Sequence, residues 1–211
     1  MILHSVRHGQ TEFNAAKKWQ GWMDSPLTEL GRQQARETAL RLKGIAFDKI
    51  VVSPLGRAQQ TLDEFLKVFP DWKNIPIQIE EQIKERNVGH VAGIPFPEVL
   101  ERFPEEMELR RTDPMAWEPK GGETSLEFVN RIREWAQKFA KDHQGQSVLK
   151  ISHGGVCGQL HAFALGLPPK EGWSFKIPNA CLSVYEVKDK DWSLVETNLV
   201  AVDFHSTQRI T

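Results

Sequence analysis

Short apolar runs alternate with longer stretches of helical spacing along most of this chain. The first run, Ile2-Leu3-His4-Ser5-Val6, leads into a turn-rich loop. Apolar positions Leu30, Ala35, Ala39, Leu40 and Leu42 then follow Thr28, a spacing that predicts a helix over 28–43 with Thr28 as its N-cap. Residues 48–52 predict a second strand. Behind them Ser53 and Pro54 suit the N-cap and first position of a helix to about Val68. A third strand is expected over 75–79. Residues 86–123 hold five prolines and no long periodic run, which predicts an irregular lid insertion with one short helix near 96–109. Thr124-Ser125-Leu126-Glu127 is a capping box that opens a helix to about Asp142. A strand over 147–152 and a helix over 155–166 come next. The segments 180–188 and 192–200 predict a hairpin around Asp189-Lys190-Asp191. Such alternation implies an α/β fold: a three-layer sandwich with a mainly parallel central sheet and helices on both faces. One domain is expected over 1–211, with the lid inserted at about 86–123.

Composition narrows the function classes. A formal net charge of −1 over 211 residues, with lysines and arginines scattered, argues against a nucleic-acid partner. No apolar run reaches membrane-spanning length, and the chain enters its first strand without a basic-then-apolar leader. A cytoplasmic protein with no membrane partner is the expectation. Cys157 and Cys181 stand in no metal or redox spacing and are expected to be free, buried thiols.

Two of the predicted strands end in histidine and glycine: Arg7-His8-Gly9 and Ser152-His153-Gly154-Gly155. Ligands of open α/β sheets bind at the carboxyl ends of the strands. If these two strands are neighbours, two imidazoles and an arginine meet over one pocket. Histidines and arginines without cysteines or clustered acids suit an anion, above all a phosphoryl group, rather than a metal. His8 is the candidate nucleophile, because a neutral imidazole attacks well near pH 7 once its tautomer is fixed. Arg7 supplies a permanently charged fork for the nonbridging oxygens, and Arg57, in a helix's first turn where a cation opposes the dipole, is a second such fork or else a solvated helix arginine. His153 is expected to face the same pocket, and the amide of Gly154 opens a helix that favours phosphate. Asn14 is a further donor or else a turn residue. No metal and no cofactor is called for.

More of the chain joins this pattern: Gln10-Thr11-Glu12-Phe13-Asn14, Gln20-Gly21-Trp22-Met23-Asp24-Ser25-Pro26-Leu27-Thr28, Leu30-Gly31, Ser53-Pro54-Leu55-Gly56-Arg57, Glu85-Arg86-Asn87-Val88-Gly89 and Gly121-Gly122-Glu123-Thr124. In this order the set resembles the histidine phosphatase superfamily, which contains the phosphoglycerate mutases and small phosphatase relatives. The resemblance covers about residues 2–185. It implies a phosphohistidine at His8 and makes Glu85, four residues before Gly89, the general acid and base. It also implies substrate contacts from Gln20, Gly21 and Arg86. Glu123 is expected either at the pocket rim or as a first-turn acid, Thr11 as a structural residue, and His205 as a surface residue of the tail. Val91 between Gly89 and Gly93, and Lys18-Trp19 before Gln20, depart from the common pattern and leave substrate shape open. The function implied is metal-independent hydrolysis of a small phosphorylated metabolite. A bisphosphoglycerate-dependent mutase, favoured by Arg86 and the Arg110-Arg111 pair, and a non-catalytic phosphate-binding protein are the alternatives. Against the mutase stand the short span between Glu85 and His153 and the lack of a lysine after Gly93. Phe96, Phe103, Met107, Met115 and Trp117 would line an apolar mouth or form a small core under the lid.

Overall fold

Strands covered on both faces tend to carry apolar pairs on successive residues rather than strict alternation, as Ile2-Leu3, Ile50-Val51-Val52 and Val148-Leu149 do. In a computed structural model of the protein, which describes residues 1–199, these runs form the middle of a sheet. Its strands are Ile2–Arg7 (β1), Lys49–Val52 (β2), Ile77–Ile79 (β3), Ser147–Ser152 (β4), Leu182–Lys188 (β5) and Asp191–Leu199 (β6). They lie in the order β3-β2-β4-β1-β5-β6. The first four are parallel, and the β5–β6 hairpin adds antiparallel to β1. Thus the sheet is mainly parallel, as expected.

The helices are Glu12–Ala15 (α1), Glu29–Arg41 (α2), Gly56–Val68 (α3), Phe96–Arg102 (α4), Pro104–Thr112 (α5), Ser125–Asp142 (α6) and Gly154–Ala164 (α7). One face of the sheet presents Val6, Ile50 and Leu149 to Ala39 of α2 and to Leu62 and Phe65 of α3. The other presents Leu3 and Val148 to Phe128 and Ile132 of α6 and to Leu160 of α7. Three layers result, with α2 and α3 burying apolar residues on one face of the sheet and α6 and α7 on the other. The lid between Arg86 and Glu123 encloses its own small core of Val88, Val91, Val99, Met107 and Trp117. Among the described residues no helix is long and apolar enough to cross a membrane. Cys157 and Cys181 are buried and form no disulfide.

Local signals place most boundaries. Thr28 accepts from the Gly31 amide at 3.0 Å, and Thr124 with Glu127 closes the expected capping box. Two expectations are corrected. The helix after β2 begins at Gly56, not Pro54, and Ser53 does not cap it. Its first amides go instead to Asp24, with Gly56 N–H donating to Oδ2 at 2.6 Å and Arg57 N–H to Oδ1 at 3.4 Å. A carboxylate at a helix N-terminus meets both the free amides and the dipole. Likewise, the single lid helix near 96–109 is two helices, α4 and α5. Proline disfavours helical geometry in the residue before it, and Phe103 before Pro104 sits at φ −134°, ψ 54°.

The loop after β1 is pinned by a close crossing with α2. Gly9 and Gly31 pack backbone to backbone, so a Cβ on either would fall inside the other segment's carbonyl. Gln10 then accepts from Thr28 N–H at 2.9 Å, and Gly9 N–H donates to Thr61 at 3.0 Å. In an open helix, alanine at position 31 would stabilise by about 1 kcal/mol. Here Gly31→Ala is expected to destabilise, because overpacking costs about 1–3 kcal/mol. Calorimetry should record a fall in Tm of several degrees; a rise would disprove the crossing.

Candidate active site

Because β1 and β4 are neighbours in parallel register, with Arg7 opposite Ser152, their histidine ends emerge together. His8 N–H donates to Ser152 O at 2.9 Å. The His8 side chain is 3 % exposed, and its Nδ1 lies 2.8 Å from the Gly9 carbonyl. A carbonyl can only accept, so Nδ1 carries the proton. Consistently, Arg57 Nε donates to His8 Nε2 at 3.3 Å, which makes Nε2 the lone-pair nitrogen. Arg57 is itself buried. Its other donors reach Gly21 O at 2.8 Å, Met23 O at 3.3 Å and Asp24 Oδ1 at 3.1 Å. Asp24 therefore caps α3 and holds the arginine of that helix with one carboxylate. Arg7 donates to Ile177 O through Nη1, while its Nε is buried without a hydrogen-bond partner.

His153 stands beside His8, ring centroids 5.3 Å apart. It is fully enclosed and does not form part of the pocket's open wall, a correction to the expectation that it faces the cavity. Its Nε2 lies 2.7 Å from Ser53 Oγ, and its buried Nδ1 has no partner. Burial, followed by the field of Arg57 and Arg7, holds His8 well below the usual histidine value. Burial and Arg57 do the same for His153, with smaller contributions from His8, Lys150 and Arg7. Lys150 was not anticipated at all. It is fully buried on β4, donates to Ser152 Oγ at 2.7 Å, and burial pushes its amine down. Both imidazoles are thus neutral at pH 7 in a field that attracts anions.

A pocket of about 760 Å³ opens above these groups. Its walls include Arg7, His8, Arg57, Glu85, Asn14, Gln20, Gly21, Arg86 and Gly154, so nine of the ten residues read from the sequence meet there. Asn14 Oδ1 accepts from Thr11 N–H and Asn179 Nδ2, so it serves as a turn residue and still has its amide donors free for the pocket. Thr11 is structural, as expected: it caps α1 and accepts from Gln20 Nε2 at 2.8 Å. Gly21 adopts φ +54°, where a side chain would also strike Val88. Arg86 spends Nε on Glu123 O and Nη2 on Trp117 O, lies over the Trp117 ring at 4.4 Å, and is drawn down to about 10 by burial. It stays charged at neutral pH. Glu85 accepts from Arg86 N–H at 3.0 Å and from Gly155 N–H at 3.1 Å. The start of α7 therefore meets this carboxylate, through the residue after Gly154.

Elsewhere the structure decides between open readings. Glu123 is not at the pocket rim: it pairs with Arg131 at 2.8 Å on the far side of the Glu85 segment. Phe96 and Trp117 line the mouth, Met107 and Phe103 belong to the lid core, and Met115 joins neither. His205 lies outside the described residues. Among those described, no cluster of three His, Cys, Asp or Glu side chains could hold a metal ion. Sequence reasoning missed Asp24, which stood inside a quoted motif but gave no sign of reaching a helix thirty residues on. Arg131 was missed as well. Helical spacing would pair it with Glu127 one turn away, yet it takes Glu123, two turns away.

Comparison with known proteins agrees with this geometry. Residues 3–200 match the sequence profile of the histidine phosphatase superfamily (branch 1). Phosphoserine phosphatase 1 of Hydrogenobacter thermophilus is 30% identical over 92% of this chain and 90% of its own. A probable phosphoglycerate mutase, GpmB, of Yersinia enterocolitica is 31% identical over 89% of this chain and 85% of its own. The alpha-ribazole phosphatase of Shigella flexneri superposes with a TM-score of 0.85 at 26% identity, covering 94% of this chain and 96% of that one. With its two histidine-bearing strand ends paired over an arginine-lined pocket, this chain belongs to the histidine phosphatase superfamily.

Proposed function

We propose that this phosphatase hydrolyses small phosphorylated metabolites without a metal, through a phosphohistidine on His8. The observation that carries the reading is the tautomer of His8: Nδ1 is tied to the Gly9 carbonyl, and Nε2 offers its lone pair beside Arg57. In the first step Nε2 attacks phosphorus in line, the bond to the leaving oxygen breaks, and that oxygen takes the proton of the Glu85 carboxyl. In the second, water gives a proton to Glu85 and attacks phosphorus, the P–N bond breaks, and phosphate leaves with His8 restored. Arg7 and Arg57 balance the charge on the nonbridging oxygens. Asn14 Nδ2 and Gly154 N–H add donors.

The mouth favours an anionic leaving group. Lys17, Lys18, Arg110 and Lys170 line it, and among the described residues none pairs with a carboxylate. Among the described residues Glu85 is the one acid on the wall. Hydrolysis is preferred over mutase transfer because the span between Glu85 and His153 is short for an insertion that would enclose an intermediate.

Acid-quenched rapid mixing with a labelled phosphomonoester in EDTA should trap an acid-labile, alkali-stable phosphoenzyme that His8→Ala abolishes. Phosphate should be released from phosphorylated hydroxy or amino acids, with negligible exchange between 2- and 3-phosphoglycerate even when bisphosphoglycerate is supplied. Label retained in the variant removes His8 from its role; efficient exchange makes the chain a mutase.

A second test reads the electrostatics. In histidine-labelled protein, NMR should find the His8 and His153 rings neutral at pH 6, where an ordinary imidazole with pKa ≈ 6.5 is largely charged. Arg57→Met should move the His8 titration upward, since losing a nearby cation favours the imidazolium. It should stay below the ordinary value, because burial is the larger cause. A downward shift would contradict the assignment.

A further inference from the structure

Arg131, on α6, does not line the catalytic pocket, yet its guanidinium is saturated. Nε and Nη2 grip the two oxygens of Glu123 at 2.8 Å each. Nη1 donates to Gln82 O at 2.6 Å and Lys84 O at 3.0 Å, and Nη2 also reaches Glu85 O at 3.5 Å. The pair is mostly buried, with 15% and 13% of the side chains exposed. Trp22 closes the other side, its indole N–H donating to Glu85 O at 2.7 Å while the Lys84 ammonium sits 3.8 Å from the ring centre. The segment so held is one short 3-10 turn, Glu81–Ile83, followed by extended residues, with no helix or strand of its own to stiffen it. Three carbonyls that converge repel one another unless a cation with several fixed donors sits among them, and only the planar fork of arginine meets such a set.

We propose that Arg131, locked in place by Glu123, is the positioning residue that aims the Glu85 carboxyl at the leaving oxygen. The inference rests on the general-acid reading of Glu85. The Glu85 carbonyl accepts from both Arg131 and Trp22, and its carboxylate accepts from the amides of Arg86 and Gly155. Arg86 Nε also donates to the Glu123 carbonyl, so the same joint ties the end of the lid to the start of α6. Proton transfer is sensitive to placement, and a shift of about 1 Å can cost about 10²-fold. The phosphate cradle of Arg7, His8 and Arg57 hangs on β1 and α3 and does not depend on this joint.

The test measures kcat on an alkyl and an aryl phosphate for the whole protein and for Arg131→Lys, Glu85→Gln and the double variant. Alkoxide leaving groups need the proton, and aryloxides far less. Arg131→Lys is expected to lower kcat on the alkyl phosphate about tenfold to a hundredfold, with the aryl rate within about twofold and KM little changed. In the Glu85→Gln background, Arg131→Lys should have no further effect on the alkyl rate. Equal losses on both substrates, or losses that multiply in the double variant, would mark Arg131 as a fold clamp only and overturn the proposal. Should Arg131→Lys fail to fold, Glu123→Gln, which loosens the fork while keeping the arginine, is read by the same alkyl-to-aryl ratio and overturned the same way. Failure of the underlying reading is separately visible: Glu85→Gln alone would then slow both substrates equally.

Discussion

The parallel pairing of β1 with β4 is the constraint on which the rest depends. Residues far apart in the chain become neighbours through one ladder, and the ladder continues past the strands where His8 N–H meets the Ser152 carbonyl. Parallel strands need a covered crossover and burial on both faces, which is what α2 and α3 on one side and α6 and α7 on the other provide. A slip of one residue in this register would turn His8 and Arg7 to opposite faces. The close backbone crossing of Gly9 with Gly31 then fixes the path of the loop that leaves β1.

Upon that frame the protein gathers positive charge where water is scarce. Arg7 and Arg57 share the site with two imidazoles and a nearby buried lysine, and burying a charge without partners is costly. The expense is offset in two ways. Main-chain carbonyls of Gly21, Met23 and Ile177 and the carboxylate of Asp24 take up many of the guanidinium donors. Both histidines stay neutral, their protonation suppressed by burial and by the arginines themselves. What is left over is the Arg7 Nε and the His153 Nδ1, both buried and without a hydrogen-bond partner.

Arginine does a different task on each side of the Glu85 segment. Arg86 lies over Trp117 and ties lid carbonyls together, while Arg131 ties the carbonyls of 82–85 to Glu123. The lid thus has its own apolar core yet is fastened to the sheet domain through polar joints on either side of the carboxylate. Apolar contacts alone are non-directional and would not orient that group so narrowly.

Much was legible in the sequence because it was local or because the motifs were dense. Periodicity and caps located the strands and the long helices, and nine residues named for the pocket do line it. The misses share one cause: they are long-range polar contacts, which leave no period and no spacing in the chain. Ser53 carried the local signature of a cap, but the carboxylate of Asp24 outcompetes it for the amides of α3 and sends Ser53 to His153. Helical spacing by itself would leave Arg131 on the surface of its own helix, whereas the fold turns it onto the carbonyls of Gln82, Lys84 and Glu85. Lys150 sits in a buried strand where composition gives no hint of its partners. Local chemistry along the chain determined which groups are present and which elements carry them. Only tertiary structure decided which polar atom meets which, because those pairings are chosen by the distances that packing leaves between segments remote in sequence.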